Sequence, residues 1–371
     1  MHFSVNKNVL FSHMQKVSKV SPIRSTMPIL NSILFEVKDN NLSLRSSDIE
    51  ITMSTTFEVN GIEDGSLAIP TRIILDIINE IEEENIVIKV NEEGVINLTA
   101  GKGFYEIIGR PGEEFPSIPV ITAVNNVEID NKMLGRMIKK TIIAVSKDEL
   151  KPSLTGVLFK IKKDEILSVA TDGHRLVRTI RKDFSSGGFE GEVIIPTKFL
   201  NLLIGYLDKD GVTSLAIGEN HVKVELDSTV IYTRIIDEQF PDYDNVIPSN
   251  NEKIVVVNVN NLISTLKRVS IFSNKTTHQI SFTLHREVSR ISTLDQETRS
   301  SADEEIELEY NDEEMMIGYN AEYLREILKN IETEKVIMKL DSPISACIIL
   351  PKVQKEDENL TMLLMPIRLN E

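Results

Sequence analysis

SLAIPTRIILDIINEIE, at residues 66–82, returns as GEVIIPTKFLNLLIGYL at residues 191–207. Both copies place Ile-Pro-Thr and a basic residue before an apolar run with helical spacing. Pro196 follows Pro70 by 126 residues, and a fainter third copy, GYNAEYLREIL, places Asn320 another 124 residues along the chain. This step is about one third of the 371 residues. The sequence therefore predicts three copies of one domain, each of ordinary domain size.

Other landmarks keep the same step and locate the boundaries of the copies. Phe240-Pro241 follows Phe115-Pro116 by 125 residues, and Pro, Asn and Ser gather near residues 119–126 and 248–252. We read those two stretches as linkers. The three repeats are then expected at residues 1–122, 127–248 and 252–371.

Within the first repeat, the apolar residues follow two different periods. Residues from Val9 to Val20 have helical spacing, and a second helical run follows Thr71, which we predict to be its N-cap. Strand-like runs, several alternating with period two, occur at 33–37, 42–45, 49–53, 66–70, 86–90, 95–98 and 104–108. The pattern predicts an α+β fold in which each repeat packs two helices against antiparallel sheets.

The composition is that of an ordinary soluble protein, 41% hydrophobic and 26% charged. No apolar run approaches 18 residues and the first residues lack an apolar signal core, so we expect a cytoplasmic protein without a membrane span. The single Cys347 excludes an internal disulfide framework. Because Cys347 lies in an alternating run, we expect a packed strand thiol rather than a nucleophile.

The charge is distributed unevenly along the chain. The formal net charge of −16 argues against a nucleic-acid partner, yet the first helical run of each repeat contains no Asp or Glu. These runs, 7–20, 131–147 and 260–275, carry Lys7, Lys16, Lys19, Lys132, Arg136, Lys139, Lys140, Lys147, Lys267, Arg268 and Lys275. One basic helix face is usually only a solvated face. Three such faces at equivalent positions predict contact with a polyanion.

Several motifs together resemble the bacterial DNA sliding clamps, the beta subunits of replicative DNA polymerase. The matching pieces are PIL at 28–30, LTGVLF at 154–159, VATDGHRL at 169–176, FPDY at 240–243, VIP at 246–248 and MPIRL at 365–369. The resemblance implies a head-to-tail homodimer that forms a closed ring, with helices inside and sheets outside. It also implies a processivity factor without cofactor or metal that encircles duplex DNA regardless of sequence. Its partners would be the polymerase alpha subunit, the clamp loader, other polymerases and repair proteins, bound through linear peptide motifs.

The segment ATDGHRL permits three interpretations. Asp172 and His174 resemble a metal or acid–base pair, but no third ligand is near in the sequence. A purely structural turn would place Gly173 at positive φ. The resemblance implies instead a wall of a peptide pocket made by Leu154, Thr171, Gly173, His174, Arg175, Leu176, Pro241, Val246, Asn320, Tyr323, Pro343, Ser345, Met365, Pro366, Ile367, Arg368 and Leu369. Asn245, Thr277 and Pro343 depart from the usual family residues, so peptide preference is expected to differ.

The resemblance also implies DNA-contacting and subunit-contacting residues. The expected DNA contacts are Arg24, Arg72, Lys16, Lys19, Arg136, Lys139, Lys140, Lys147, Lys151, Lys198, Lys267 and Arg268. The expected dimer interface is Tyr105 and Ile107 against Ile271 and Phe272. Ordinary surface arginines and ordinary core packing explain the same residues equally well from the sequence alone.

Two other classes of function remain open at this point. An enzyme is disfavoured because the chain has no Gly-rich phosphate loop and no Gly-x-Ser-x-Gly elbow. A repeat-domain scaffold that binds peptides without encircling DNA is the alternative, although it would not need three helices free of acidic residues.

Overall fold

The computed structural model describes residues 1–122 and 124–369, and within them it contains six α-helices and 27 strands. The helices are α1 (Lys7–Val17), α2 (Thr71–Glu80), α3 (Asn131–Thr141), α4 (Thr197–Ile204), α5 (Val259–Val269) and α6 (Ala321–Lys329). The strands are β1 (His2–Asn6), β2 (Ser32–Lys38), β3 (Asn41–Ser47), β4 (Ile51–Glu58), β5 (Asn60–Glu63), β6 (Gly65–Pro70), β7 (Asn85–Val90), β8 (Val95–Ala100), β9 (Gly103–Ile108), β10 (Arg110–Pro111), β11 (Asn125–Asp130), β12 (Gly156–Lys162), β13 (Glu165–Thr171), β14 (Arg175–Arg181), β15 (Gly191–Pro196), β16 (Val212–Ile217), β17 (His221–Leu226), β18 (Thr229–Arg234), β19 (Lys253–Asn258), β20 (Gln279–Leu284), β21 (Ser289–Asp295), β22 (Ser300–Ile306), β23 (Leu308–Tyr310), β24 (Met315–Asn320), β25 (Lys335–Leu340), β26 (Cys347–Pro351) and β27 (Glu358–Leu364). The α+β prediction is confirmed. Asn370 and Glu371, the end of the third predicted repeat, and Ala123 in the first linker lie outside the described residues.

The chain divides into two compact units, and the division passes through the second repeat. The first unit contains Met1–Asn131 and Asn201–Ile235, and the second contains Lys132–Leu200 and the described chain from Ile236 onward.

The first unit contains two antiparallel sheets. One has five strands in the order β5-β1-β7-β8-β9, and the other has nine in the order β10-β6-β2-β3-β4-β18-β17-β16-β11. The second sheet joins two repeats, because β4 of the first pairs with β18 of the second, from Thr55 opposite Thr229 to Ile51 opposite Thr233. Helices α1 and α2 pack side by side in this unit.

The second unit repeats this plan with different strands. Its nine-stranded sheet has the order β15-β12-β13-β14-β27-β26-β25-β19-β23, and its smaller sheet has the order β22-β21-β20-β24. Here β14 of the second repeat pairs with β27 of the third, from Arg175 opposite Leu364 to Arg181 opposite Glu358. Helices α5 and α6 pack together.

Local structure departs from the sequence predictions in a few places. Thr71 is not an N-cap: Pro70 occupies that position without a side-chain cap, and the Thr71 hydroxyl lies 2.9 Å from the Ser21 hydroxyl instead. Helix α1 ends at Val17 rather than at Val20, and β1 and β5 were not predicted. Cys347 is a fully buried strand residue, as predicted, and burial raises the pKa of its thiol to about 12.

Neutral side chains cap two of the helices that lack acidic residues. The Asn6 carboxamide oxygen accepts hydrogen bonds from the backbone N–H groups of Asn8 and Val9, at 3.0 and 3.3 Å. Asn258 caps α5 in the same way through the N–H of Asn261, at 3.1 Å. Asparagine satisfies the free N–H groups of a helix as well as aspartate does, without adding negative charge. The positive character of these helices therefore extends to their N-terminal ends.

Candidate partner pocket and nucleic-acid surface

A tight turn connects β13 to β14 and carries the ATDGHRL motif. The Asp172 carboxylate accepts hydrogen bonds from the backbone N–H groups of His174 and Arg175, both at 2.9 Å. Gly173 has φ +86°, which confirms the predicted positive φ. No group of three or more His, Cys, Asp or Glu side chains in the described part of the chain could hold a metal ion. The Asp172 carboxylate thus organises the turn.

Arg175 fastens this turn to α6. Its guanidinium is 8% exposed and lies 3.1 Å from Asp172 and 2.5 Å from Glu326. The guanidinium also lies over the Tyr323 ring, 4.4 Å from its centroid. The His174 imidazole of the same turn stacks on Tyr323, with 6.1 Å between the ring centroids. Burial is the main cause that raises the pKa of Tyr323, with Asp172 adding to it. A second-repeat turn and a third-repeat helix are therefore held in one rigid arrangement.

The C-terminal motif completes this arrangement. The Met365 N–H donates to the His174 carbonyl at 2.8 Å, and the Ile367 N–H donates to the Gly318 carbonyl at 2.8 Å. Leu369 packs so closely on Gly318 that a Cβ there would lie 2.7 Å from its Cδ2. The structure thus brings GHRL and MPIRL together, although almost 190 residues separate them in the sequence.

An apolar cluster lies beneath these segments. Leu154 and Leu176 pack with Phe240, Tyr243 and Leu363 in one buried group. The last three were absent from the predicted site. The FPDY motif was the available signal for Phe240 and Tyr243, whereas Leu363 is revealed only by the pairing of β14 with β27, which sets it opposite Leu176.

The remaining predicted pocket residues differ in exposure. Val246 and Met365 are 53% and 43% exposed. Asn320 caps α6 and donates to the Thr277 carbonyl at 3.0 Å, while the Ser345 hydroxyl donates to Asp341 at 3.1 Å. The exposed members are Gly173, His174, Pro241, Pro343 and Arg368, and the half-buried ones are Thr171, Pro366, Ile367 and Leu369. All belong to the second unit, so the site can bury apolar anchors and also hydrogen-bond an extended chain.

Most of the predicted DNA-contacting side chains are exposed. Arg72 has a 94% exposed side chain, and Lys19 holds its Nζ 5.4 Å from the Tyr206 ring centroid. The exposed members are Lys19, Arg24, Arg72, Lys139, Lys147, Lys151, Lys198, Lys267 and Arg268, with Lys16 half-buried. Each compact unit therefore presents basic groups to solvent.

Arg136 is half-buried and Lys140 is buried, and both pair with carboxylates of the third repeat. Arg136 donates to Glu358 at 2.5 and 2.8 Å and to Glu332 at 2.6 Å. Lys140 is 5% exposed and lies 2.8 Å from Glu332. The hydrogen bonds to Glu358 and Glu332 raise the pKa of Arg136 despite partial burial. We therefore omit both residues from the proposed DNA surface, and keep Arg268, whose side chain is 57% exposed although it also lies 2.6 Å from Glu304.

Two of the edge strands belong to the smaller sheets and lie near exposed apolar side chains. Strand β9 pairs with β8, and β22 pairs with β21. On β9, Ile107 is buried in its own unit, 6% exposed, while Phe104, Tyr105 and Ile108 are 60%, 36% and 75% exposed. Next to β22, Ile271 and Phe272 are 66% and 43% exposed in the 3₁₀ turn that follows α5. Phe104 and Ile108, which the resemblance did not name, are at least as exposed as the two predicted residues of β9.

The fold and the site define a repeat-domain binding protein, with an apolar pocket and basic helices. Models of the DNA polymerase III beta subunit match in succession: the N-terminal domain at residues 1–119, the central domain at 128–242 and the C-terminal domain at 244–368. The chain belongs to this family, which confirms the resemblance seen in the sequence.

Known proteins support the same assignment. The chain is 29% identical to the beta sliding clamp of Haemophilus influenzae and 27% identical to that of Pseudomonas aeruginosa, with 100% of both chains covered in each comparison. A crystal structure of the DNA polymerase sliding clamp from Pseudomonas aeruginosa with ligand matches with a TM-score of 0.92 and 28% identity. The sliding clamp from Bacillus subtilis matches with a TM-score of 0.92 and 25% identity, again with 100% of both chains covered.

These findings favour the clamp over the other two classes of function. The chain is a sliding clamp, a non-catalytic processivity factor rather than an enzyme or a scaffold unrelated to DNA replication. Within the described residues, no helix combines the length and apolar character that a membrane span requires.

Proposed function

We propose that two copies of the chain close head to tail into a ring around duplex DNA, with the helices inside and the sheets outside. One observation carries the proposal. Each nine-stranded sheet is shared by consecutive repeats, whereas the five-stranded sheet belongs to the first repeat alone and the four-stranded sheet to the third alone, with β9 and β22 as edge strands. Joining β9 of one copy to β22 of the other would make a further nine-stranded sheet. Two identical heterologous contacts of this kind would close the assembly.

The side chains at these edges support the same contact. Phe104, Tyr105 and Ile108 on one edge and Ile271 and Phe272 near the other are large, exposed and apolar. Exposed apolar groups on an unpaired strand are a liability unless a partner covers them. Ile107 faces the core of its own unit, so the proposal relies on its exposed neighbours.

The replacement of Ile271 and Phe272 by Asp tests the interface. The wild-type protein should sediment as a dimer, with twice the chain mass of 41.9 kDa. The double variant should sediment as a monomer, because four buried charges per ring oppose closure. Val353→Asp, at an equally exposed apolar position of the third repeat, is the matched control and should remain a dimer. A double variant that stays dimeric on dilution would contradict the interface.

We further propose that DNA passes along basic residues on the helices and in the loops next to them, without sequence readout. Phosphate contacts by lysine and arginine give affinity without base discrimination. The proposed contacts are Lys16, Lys19, Arg24, Arg72, Lys139, Lys147, Lys151, Lys198, Lys267 and Arg268. A ring retains DNA by enclosure, so few and salt-sensitive contacts suffice for retention and still permit sliding.

The pocket of the second unit is proposed to bind linear peptides of the polymerase alpha subunit, the clamp loader, other polymerases and repair proteins. Apolar anchors would reach the Leu154–Leu176 cluster while the peptide backbone lies along the C-terminal segment. Sliding clamps from Pseudomonas aeruginosa and Bartonella birtlesii have been solved bound to griselimycin. The equivalent strand of the first repeat has Thr52 where the second has Leu176, which favours one such pocket in each copy. We place this activity in the cytoplasm, where Cys347 would stay reduced.

A further inference from the structure

One side of the partner pocket is rich in carboxylates. The segment 240–247 covers the apolar cluster with Phe240 and Tyr243, and between and beside these two rings it carries Asp242 and Asp244. Both aspartates are exposed, and the Asp244 side chain is 64% exposed. The segment therefore buries its aromatic groups and turns negative charge toward solvent at the pocket edge.

The cationic groups near this edge are already engaged. Arg178 on β14 donates to Asp244 at 3.1 Å, and Arg175 is held by Asp172 and Glu326. Asn245 donates to Asp242 at 2.6 Å, which positions that carboxylate without neutralising it.

The charged groups of this edge all influence the pKa of one side chain, Tyr243. Burial raises the pKa of Tyr243, Asp244 raises it further, Arg178 opposes this, and Glu192 and Asp242 add to the increase. Three carboxylates and one guanidinium thus lie within electrostatic range of one hydroxyl at the pocket edge. The opposite wall differs, because exposed Arg368 lies between Ile367 and Leu369, which both contact Gly318.

We propose that the peptides this pocket accepts carry a lysine or arginine beside their apolar anchors, placed against Asp242 and beside the Asp244–Arg178 pair; this inference rests on the proposed function of the pocket. The apolar cluster provides affinity without distinguishing among peptides that share the same anchors. The acidic edge adds selection by charge, since a basic residue gains attraction there and an acidic residue meets repulsion.

The expected magnitude follows from Coulomb's law. Two unit charges about 5 Å apart in water-like surroundings interact by an amount equal to about a fourfold change in affinity. At Asp242 a lysine should gain about fourfold and an aspartate should lose about fourfold, so the lysine peptide should bind the wild-type protein about 16-fold more tightly than the aspartate peptide. The difference should shrink as ionic strength rises, because the edge is exposed.

Three labelled peptides with identical Gln and Leu/Phe anchors, flanked by two lysines, two serines or two aspartates, test the proposal by fluorescence anisotropy with the full-length protein. Asp242→Asn should remove most of the lysine-over-aspartate preference, because it removes both the attraction and the repulsion. Asp244→Asn should reduce it further, because it also releases Arg178. Asp164→Asn is the matched control: it removes an exposed carboxylate at the far end of β13, about 20 Å along the strand from Thr171, and should leave the preference unchanged.

The outcomes separate this inference from the proposed pocket. Equal binding of all three peptides, or a preference that Asp242→Asn does not alter, would overturn the acidic-edge proposal and leave the pocket in place. If none of the three peptides binds, both proposals fail together. A preference that falls in the two edge variants and persists in Asp164→Asn supports it.

Discussion

Gly318 is the point at which one added methyl group should open the partner pocket. A Cβ at this position would lie 2.6 Å from the Ile367 carbonyl oxygen and 2.7 Å from the Leu369 Cδ2. Ordinary carbon contacts need about 3.5 Å, so the C-terminal segment must retreat by almost 1 Å. The Ile367 N–H to Gly318 carbonyl distance of 2.8 Å would then exceed hydrogen-bonding range.

The loss of that hydrogen bond corresponds to about 1 kcal/mol and leaves the pocket wall unattached to β24. Gly318→Ala should therefore weaken binding of an anchor-bearing peptide about fivefold, as measured by anisotropy, since 1.4 kcal/mol is about tenfold in affinity. Gly205→Ala, whose nearest Cβ neighbour is a carbonyl oxygen at 3.6 Å, is the control and should bind normally. Wild-type affinity in Gly318→Ala, with the protein folded and dimeric, would show that the C-terminal segment is not a wall of the site.

Three further outcomes follow from the structure. Replacement of Arg24 and Arg72 by Ala should weaken binding to short duplexes equally for all sequences and lower its salt dependence, as titrations at several ionic strengths would show. Ile49 has φ +80°, a region costly for a β-branched residue, so Ile49→Gly should raise the free energy of unfolding by about 1 kcal/mol in denaturant titrations. Burial alone would raise the pKa of Glu358, but the hydrogen bonds from Arg136 and the positive charges of Arg136, Arg181 and Lys355 together outweigh it and leave the pKa below its ordinary 4.5. This ion pair thus stabilises the fold above about pH 4.5, and its contribution is lost as the pH falls through the lowered pKa. The Glu358→Gln variant should be several kcal/mol less stable than the wild type at neutral pH, and its stability should depend less on acid, as thermal melts at several pH values would show.

Sequence reasoning succeeded where a pattern is local or repeated. The strand before Pro70 and the positive φ of Gly173 follow from alternation and from the special conformations open to glycine. The acid-free helices were evident because the same omission occurs three times. The motifs near Leu176 and Met365 identified the pocket only through family resemblance, since the contact between them depends on the pairing of β14 with β27.

Predictions from sequence failed where a distant partner decides the role of a side chain. Nothing near Arg136 in the sequence reveals that Glu358 neutralises it, because the two are 222 residues apart. The solvent-exposed face of β9 could likewise not be predicted from the sequence, because apolar residues occupy both faces. Whether Ile107 is buried depends on the rest of its sheet.

The shared sheets also determine what can be removed from this chain. A cut at either linker would not release a finished domain, because it would separate β4 from β18 or β14 from β27 and expose long backbone edges. The second repeat contributes to both compact units, so neither unit corresponds to a segment that gene duplication could have supplied alone. The sequence contains three repeats, but unfolding should proceed in two cooperative steps, one for each compact unit. Single-repeat fragments of this protein should therefore aggregate, even though each contains the whole pattern from which the fold was inferred.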